Sequence, residues 1–132
     1  MLAFWDASAL VRLCVRDQAS PRAKKLLRAA NVVAWWATAV EGRGAFVRLQ
    51  REGILSDAAF RVSCERLSTL LSASKEIVPS GELRETALLQ LERFPLRAGD
   101  ALQLAAALVW CGGRPRGRWF VCDDRRLAAA AS

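Results

Sequence analysis

Four acidic positions in this sequence lie where short apolar stretches give way to helical patterns. They are Asp6, Glu41, Asp100 and Asp124, the last preceded directly by Asp123. Histidine is absent from the 132 residues, which excludes Ser-His-Asp and Cys-His nucleophilic catalysis, histidine acid–base chemistry and histidine-ligated metal sites. Any enzyme chemistry must therefore depend on carboxylates or on Ser, Cys or Lys side chains.

The surroundings of these acids favour a bound cation. Asp6 lies between FW and SALV, and Asp100 precedes ALQLAAALVW. A carboxylate in apolar surroundings carries a desolvation cost, and clustered carboxylates raise one another's pKa unless a cation neutralises them. Oxygen ligands without histidine or a cysteine cluster suit Mg²⁺ or Mn²⁺. The sequence therefore predicts a divalent metal site built on the four acids.

Each acid also has a structural interpretation. Asp6, Asp100 and Asp124 are each suited to cap the N-terminus of a helix by accepting from its first-turn N–H groups. The pattern Thr38-x-x-Glu41 is that of a capping box, which would by itself explain a glutamate at that position. Both interpretations stay open at the level of sequence.

The elements that would position the acids follow from the apolar pattern. Strands are expected at residues 2–5, 32–36, 76–78 and 118–122, and helices at 8–15, 21–30, 38–52, 56–74, 80–93, 98–110 and 127–131. Strands followed by helices form right-handed crossovers in a parallel sheet. We therefore expect a three-layer α/β/α sandwich with a central parallel sheet of four or five strands, in one domain over residues 1–132. All four acids map to the carboxyl edge of that sheet, where ligands bind in such folds.

The charge balance indicates an anionic partner. Lys and Arg number 20 against 13 Asp and Glu, a net charge of +7, and most of these cations are Arg, which binds phosphate in a fork. Candidate contacts to a phosphate-bearing partner or to an acidic protein segment are Arg43, Arg48, Arg97, Arg116 and Arg125. The alternative is that these arginines keep a chain of 53% hydrophobic residues in solution. Trp35 and Trp36 would likewise either stack on bases or pack in the core.

Cysteine usage and hydropathy favour the cytoplasm. The four cysteines form no Cys-x-x-Cys pair and lie in apolar sequence, as expected of buried reduced thiols. The longest strongly apolar run, Ala101 to Cys111, is about half the length needed to cross a bilayer. We expect no membrane association.

Four segments of the chain resemble, in order and at comparable spacing, the acidic motifs of PIN-domain ribonucleases, and most closely those of VapC-type toxins of bacterial toxin–antitoxin pairs. They are FWDASALVRLCVRD, TAVEGRGAFVRL, LRAGDALQLAAAL and FVCDDRRLAAAA. The resemblance covers nearly the whole chain. It implies a PIN-like nuclease domain that hydrolyses RNA with Mg²⁺ or Mn²⁺, leaving 5′-phosphate and 3′-hydroxyl ends. It also implies a cognate antitoxin and a homodimer.

The resemblance assigns roles to the four acids. It makes Asp6 and Asp100 the main metal ligands, Glu41 a ligand or the group that orients water, and Asp124 a ligand to a second or weaker ion. Metal-bound carboxylates of this kind activate water and stabilise charge on the phosphate oxygens.

Neighbouring residues both follow and depart from the family pattern. Ser8 matches the hydroxyl residue two places after the first acid. Cys122 stands where relatives have Thr or Ser, so a hydrogen bond near the metal is lost or passed to Asp123. This departure permits an alternative function, a catalytically silent PIN-like module for RNA binding or assembly. A phosphatase with an Asp nucleophile is disfavoured, because Ser8 replaces the second acid of its D-x-D motif.

Overall fold

A computed structural model describes residues 2–15, 20–29, 31–112, 118–122 and 125–131 of the chain. Its strands are β1 (Leu2–Trp5), β2 (Asn31–Trp35), β3 (Lys75–Ile77) and β4 (Trp119–Val121). Its helices are α1 (Ala7–Cys14), α2 (Pro21–Ala29), α3 (Thr38–Arg51), α4 (Asp57–Ser72), α5 (Gly81–Arg93), α6 (Ala98–Cys111) and α7 (Arg125–Ala131). Each expected strand and helix is present, with ends shifted by at most two residues.

The strands form one parallel sheet in the order β3-β2-β1-β4. The central strand β1 pairs with β2 on one side, with Ala3 opposite Val32, and with β4 on the other, with Phe4 opposite Phe120. The chain thus runs outward from β1 in one direction and returns to its other side for the last strand. This reversal places a crevice at the carboxyl end of β1, the usual position of a ligand in such sheets.

The two faces of the sheet carry separate cores because successive strand residues point to opposite sides. Ala3 and Trp5 of β1 pack into one core with residues of α1, α3 and α4, whereas Phe4 packs into the other with residues of α5 and α6. Phe4 is fully buried and stacks on Phe120 of the neighbouring strand, with ring centroids 5.6 Å apart. The expected three-layer α/β/α sandwich with a four-stranded parallel sheet is confirmed.

Local sequence fixes several helix ends. Gly53, just after α3, and Gly112, which caps the C-terminus of α6, have φ angles of 77° and 57°, a region that glycine adopts without steric cost. Three helices begin at a serine whose hydroxyl accepts from the backbone N–H three residues on: Ser20 for α2, Ser56 for α4 and Ser80 for α5. Within the described ranges, no helix is both long and apolar enough to cross a bilayer.

Candidate functional site

The candidate site begins where β1 ends, in the crevice at the carboxyl edge of the sheet. Asp6 follows Trp5 directly, and its backbone N–H donates to the carbonyl of Val121 at 3.0 Å, which continues the pairing with β4. The side chain of Asp6 is only 3% exposed. A carboxylate so deeply placed needs polar partners.

In the part of the chain that the structure describes, three neighbours supply such partners to the Asp6 carboxylate. The hydroxyl of Ser8 lies 2.9 Å and 2.8 Å from its two oxygens, and the Ala9 N–H donates to Oδ1 at 3.1 Å. The thiol of Cys122 donates to Oδ2 at 3.4 Å. Asp6 is therefore the N-cap of α1 as well as a candidate ligand, and Ser8 and Cys122 hold its carboxylate in place. The hydrogen bond that we expected position 122 to lose is thus kept by the Cys122 thiol, in a longer and weaker form than a hydroxyl would give.

Glu41 comes from α3, and the capping-box interpretation of this helix is wrong. The N-cap is Ala37, whose side chain makes no cap hydrogen bond, and Thr38 is the first helical residue. Thr38 and Glu41 instead both accept hydrogen bonds from Nε2 of Gln103 in α6, at 3.0 Å each. Position 38 is fully buried, so its hydroxyl is satisfied through this tertiary contact.

Asp100 lies in the first turn of α6, but it is not the N-cap. That position belongs to Arg97, which makes no side-chain cap hydrogen bond. Asp100 instead lines a pocket of about 430 Å³ together with Asp6 and Glu41. We call this pocket, bordered also by Ser8 and Gln103, the acidic pocket. Three acids from three separate parts of the chain therefore line one pocket.

The electrostatics of the acidic pocket follow from this convergence. Burial raises the pKa of Glu41, the hydrogen bond from Gln103 opposes the shift, and the charges of Asp6 and Asp100 raise it further. Oε2 of Glu41 lies near the first turn of α6, 3.6 Å from where a Cβ on Gly99 would stand. A bound cation would offset the repulsion among these acids.

The donor set fits a sparse magnesium site. In the described part of the chain, no three His, Cys, Asp or Glu side chains are grouped closely enough to hold one ion. Mg²⁺ keeps several water ligands and is commonly held by one or two carboxylates, which the acidic pocket supplies from Asp6, Glu41 and Asp100. Asp123 and Asp124 lie outside the described residues, so their assigned roles stay predictions.

Of the candidate arginines, Arg48 alone among those with described side chains borders the acidic pocket. Arg43 lines a different pocket, with Cys64 and Glu76, and Arg97 is exposed at the start of α6. The other two candidate arginines are not described: Arg116 and the side chain of Arg125 lie outside the described residues.

The sequence analysis did not predict two residues of the acidic pocket, Arg12 and Gln103. Arg12 borders the acidic pocket and follows Ser8 by four residues on α1, a spacing that puts both on one helix face. Gln103 follows Asp100 by three residues on α6, which brings it to the same face. Helical spacing from a predicted site residue is the signal that identifies both.

The two tryptophans proposed to stack on bases differ in their exposure to solvent. Trp35 is 4% exposed and packs in the core, whereas Trp36 is 52% exposed, so stacking on a base is open to Trp36 alone of the pair. All four cysteines are thiols, and Cys14 is buried.

Comparison with known proteins gives a likeness of fold. No protein-family model matches the chain, and no curated protein sequence matches it. A solved structure described as a toxin–antitoxin complex from Klebsiella pneumoniae is similar, with a TM-score of 0.57 and 21% sequence identity. The match covers 82% of this chain and 79% of that one. At this identity the likeness shows the α/β/α fold, in agreement with the sandwich expected from the sequence.

Proposed function

We propose that this protein is a Mg²⁺- or Mn²⁺-dependent endoribonuclease that acts as the toxin of a toxin–antitoxin pair. The observation that carries the proposal is that Asp6, Glu41 and Asp100 line one pocket at the carboxyl end of the central strand. Arg12 and Arg48 border the same pocket, so cationic side chains lie beside the acids. This combination suits a phosphodiester substrate and a metal-assisted hydrolysis.

In the proposed reaction, each residue of the acidic pocket has a separate role. A divalent cation bound by the carboxylates lowers the pKa of water and offsets charge on the phosphate oxygens. Asp6 is held for this task by Ser8 and by the first turn of α1. Glu41 orients the attacking water, while the guanidinium groups of Arg12 and Arg48 position the phosphate backbone of RNA.

The toxin role rests on the structural neighbour and on the surface. The similar chain belongs to a toxin–antitoxin complex, and a net charge of +7 suits both RNA and an acidic partner segment. Exposed apolar side chains offer area for an antitoxin and for a second copy of this chain. They include Trp36, Val78, Leu88, Leu89 and Trp119, each at least 49% exposed.

Cleavage of RNA by the purified chain tests the nuclease proposal. We expect single-stranded RNA to be cut in Mg²⁺ or Mn²⁺ and to stay intact in EDTA, and Asp100→Asn to lower the rate by several orders of magnitude. The matched control is Glu76→Gln, an exposed acid in the pocket that also holds Arg43, which should cleave at the wild-type rate. Cleavage that persists in EDTA, or full activity in Asp100→Asn, contradicts the proposal.

A silent RNA-binding or assembly module is the second candidate. It is favoured by one observation, the lack of a grouped set of three metal-ligating side chains among the described residues. The two functions differ in outcome: a silent module shifts RNA in a gel at equal strength with or without Mg²⁺ and leaves it uncut. Growth arrest on expression, relieved by a co-expressed partner protein, would separately support the toxin role.

A further inference from the structure

Gln103 is a buried amide that joins the two helical layers at the acidic pocket. Its side chain is 2% exposed, and its Nε2 donates to Glu41 Oε1 and to Thr38 Oγ1, both at 3.0 Å. Glu41 and Thr38 belong to α3, whose apolar residues pack on one face of the sheet, whereas Gln103 belongs to α6 on the other. These hydrogen bonds therefore tie an acid of one layer to the helix that carries Asp100.

The orientation of the amide follows from the chemistry of its partners. The ionised carboxylate of Glu41 only accepts hydrogen bonds, so the NH₂ group of Gln103 must face it. Both N–H groups are then used, and among the described residues no donor bonds to the buried Oε1. An unpartnered buried acceptor costs stability, whereas a leucine or methionine of similar size would avoid that cost. The amide is therefore explained by its two partners on α3, the Thr38 hydroxyl and the Glu41 carboxylate, and not by its own packing.

Helical spacing makes the bridge specific to the site. On α3, Thr38 and Glu41 are three residues apart, and on α6 the same spacing separates Asp100 and Gln103, so each pair lies on one helix face. The amide therefore contacts Glu41 from the same face that presents Asp100 to the acidic pocket.

We propose that Gln103 is a positioning residue whose amide holds the Glu41 carboxylate beside Asp6 and Asp100, so that the acidic pocket is preorganised for a divalent cation. The inference rests on the proposed function for the identity of the ligand. Without the amide, the like charges of Asp6 and Asp100 would favour conformations in which the flexible Glu41 side chain points to solvent. Binding of a cation would then have to reorder Glu41, which would weaken the affinity. Hydrogen bonds that orient metal ligands act in this way.

The test is Mn²⁺ binding to the purified chain without RNA, measured by titration calorimetry on wild type and Gln103→Leu. We expect Gln103→Leu to bind Mn²⁺ about 10- to 100-fold more weakly. Its melting temperature should fall only slightly, because removal of the buried Oε1 offsets part of the cost of leaving the Thr38 hydroxyl without the amide. Gln103→His should recover much of the affinity, because an imidazole N–H can donate to Glu41. The matched control is Gln90→Leu, which changes another buried glutamine, in α5 and 6% exposed, and should bind Mn²⁺ like wild type.

A double-mutant cycle separates positioning of Glu41 from a general effect on the pocket. In a Glu41→Ala background, adding Gln103→Leu should change kcat/KM little, because the group it positions is already gone. If Gln103→Leu folds poorly, Thr38→Val takes its place: it removes the second partner of the amide, and we expect it to weaken Mn²⁺ binding less than threefold in the Glu41→Ala background and more in wild type.

Outcomes for the two proposals are distinct. If wild type binds Mn²⁺ and cleaves RNA but Gln103→Leu does both equally well, the positioning role is overturned and the nuclease stands. An equal loss from Gln103→Leu in the wild-type and Glu41→Ala backgrounds also overturns it. If wild type neither binds Mn²⁺ nor cleaves RNA, the proposed function fails, and this inference fails with it.

Discussion

Replacement of Asp6 by asparagine separates the structural role of this residue from its chemical one. Asp6 caps α1 through a hydrogen bond from the Ala9 N–H to Oδ1. Asparagine caps a helix about as well as aspartate, so Asp6→Asn keeps this contact and removes only the charge. If the carboxylate binds a catalytic cation, the neutral amide should abolish activity while the fold persists.

The structure sets the expected magnitudes. Asp6→Asn should change the free energy of unfolding by less than about 1 kcal/mol, because the cap remains and loss of charge-assisted hydrogen bonds from Ser8 and Cys122 is partly offset by less repulsion with Glu41. Asp6→Ala removes the acceptor altogether and should cost about 2–4 kcal/mol. The cleavage rate should fall at least about 1,000-fold in both variants, equivalent to about 4 kcal/mol of barrier.

The assay is RNA cleavage in Mg²⁺ measured beside urea unfolding for the same preparations. Ser80→Ala is the matched control: it removes the N-cap hydrogen bond of α5, where the Leu83 N–H lies 3.0 Å from the serine hydroxyl. It should cost about 1 kcal/mol of stability and leave cleavage unchanged. The reasoning is refuted if Asp6→Asn cleaves RNA at near the wild-type rate, or if its activity falls only in proportion to lost stability.

Three further changes test other parts of the structure. Arg48→Ala should lower the slope of log RNA affinity against log salt by about 1, whereas Arg43→Ala, whose side chain lines another pocket, should leave the slope unchanged in filter-binding assays. Burial raises the pKa of the Cys14 thiol from 9.0 to about 12. As pH rises above about 9 the unfolded chain loses this proton while the folded chain keeps it, so the free energy of unfolding should fall. In urea unfolding from pH 7 to 10, this free energy should fall less in a Cys14→Ala variant than in wild type. Gly42→Ala places a methyl group against a buried leucine of α4 and should destabilise by about 1–3 kcal/mol, while Gly44→Ala, in open space on the same helix, should be neutral or stabilising in thermal melts.

Local sequence patterns determined most of the elements and the positions of three acids. The four consecutive apolar residues of β1 predict its bounds, because a central strand covered by helices on both sides buries its side chains on both faces. The serine before Pro21 predicts the start of α2 because a hydroxyl acceptor and a fixed φ angle favour a helical first turn. In a parallel sheet the carboxyl ends of the strands share one edge, so the meeting of Asp6, Glu41 and Asp100 could also be expected from sequence.

Tertiary structure alone decided which neighbours these acids have. Thr38 and Glu41 match a capping box in sequence, which would make Thr38 the N-cap. The N-cap of α3 is instead Ala37, one residue earlier, and both side chains accept hydrogen bonds from Gln103, more than 60 positions away. The same holds for the arginines: Arg43 and Arg48 share one helix, but only Arg48 reaches the acidic pocket. Backbone propensity acts over about one helical turn, whereas a contact between side chains of different layers depends on how both helices pack on the sheet. The sequence therefore specifies which acids form this site. The packing of α3 and α6 on opposite faces of the sheet determines the hydrogen bonds that orient Glu41.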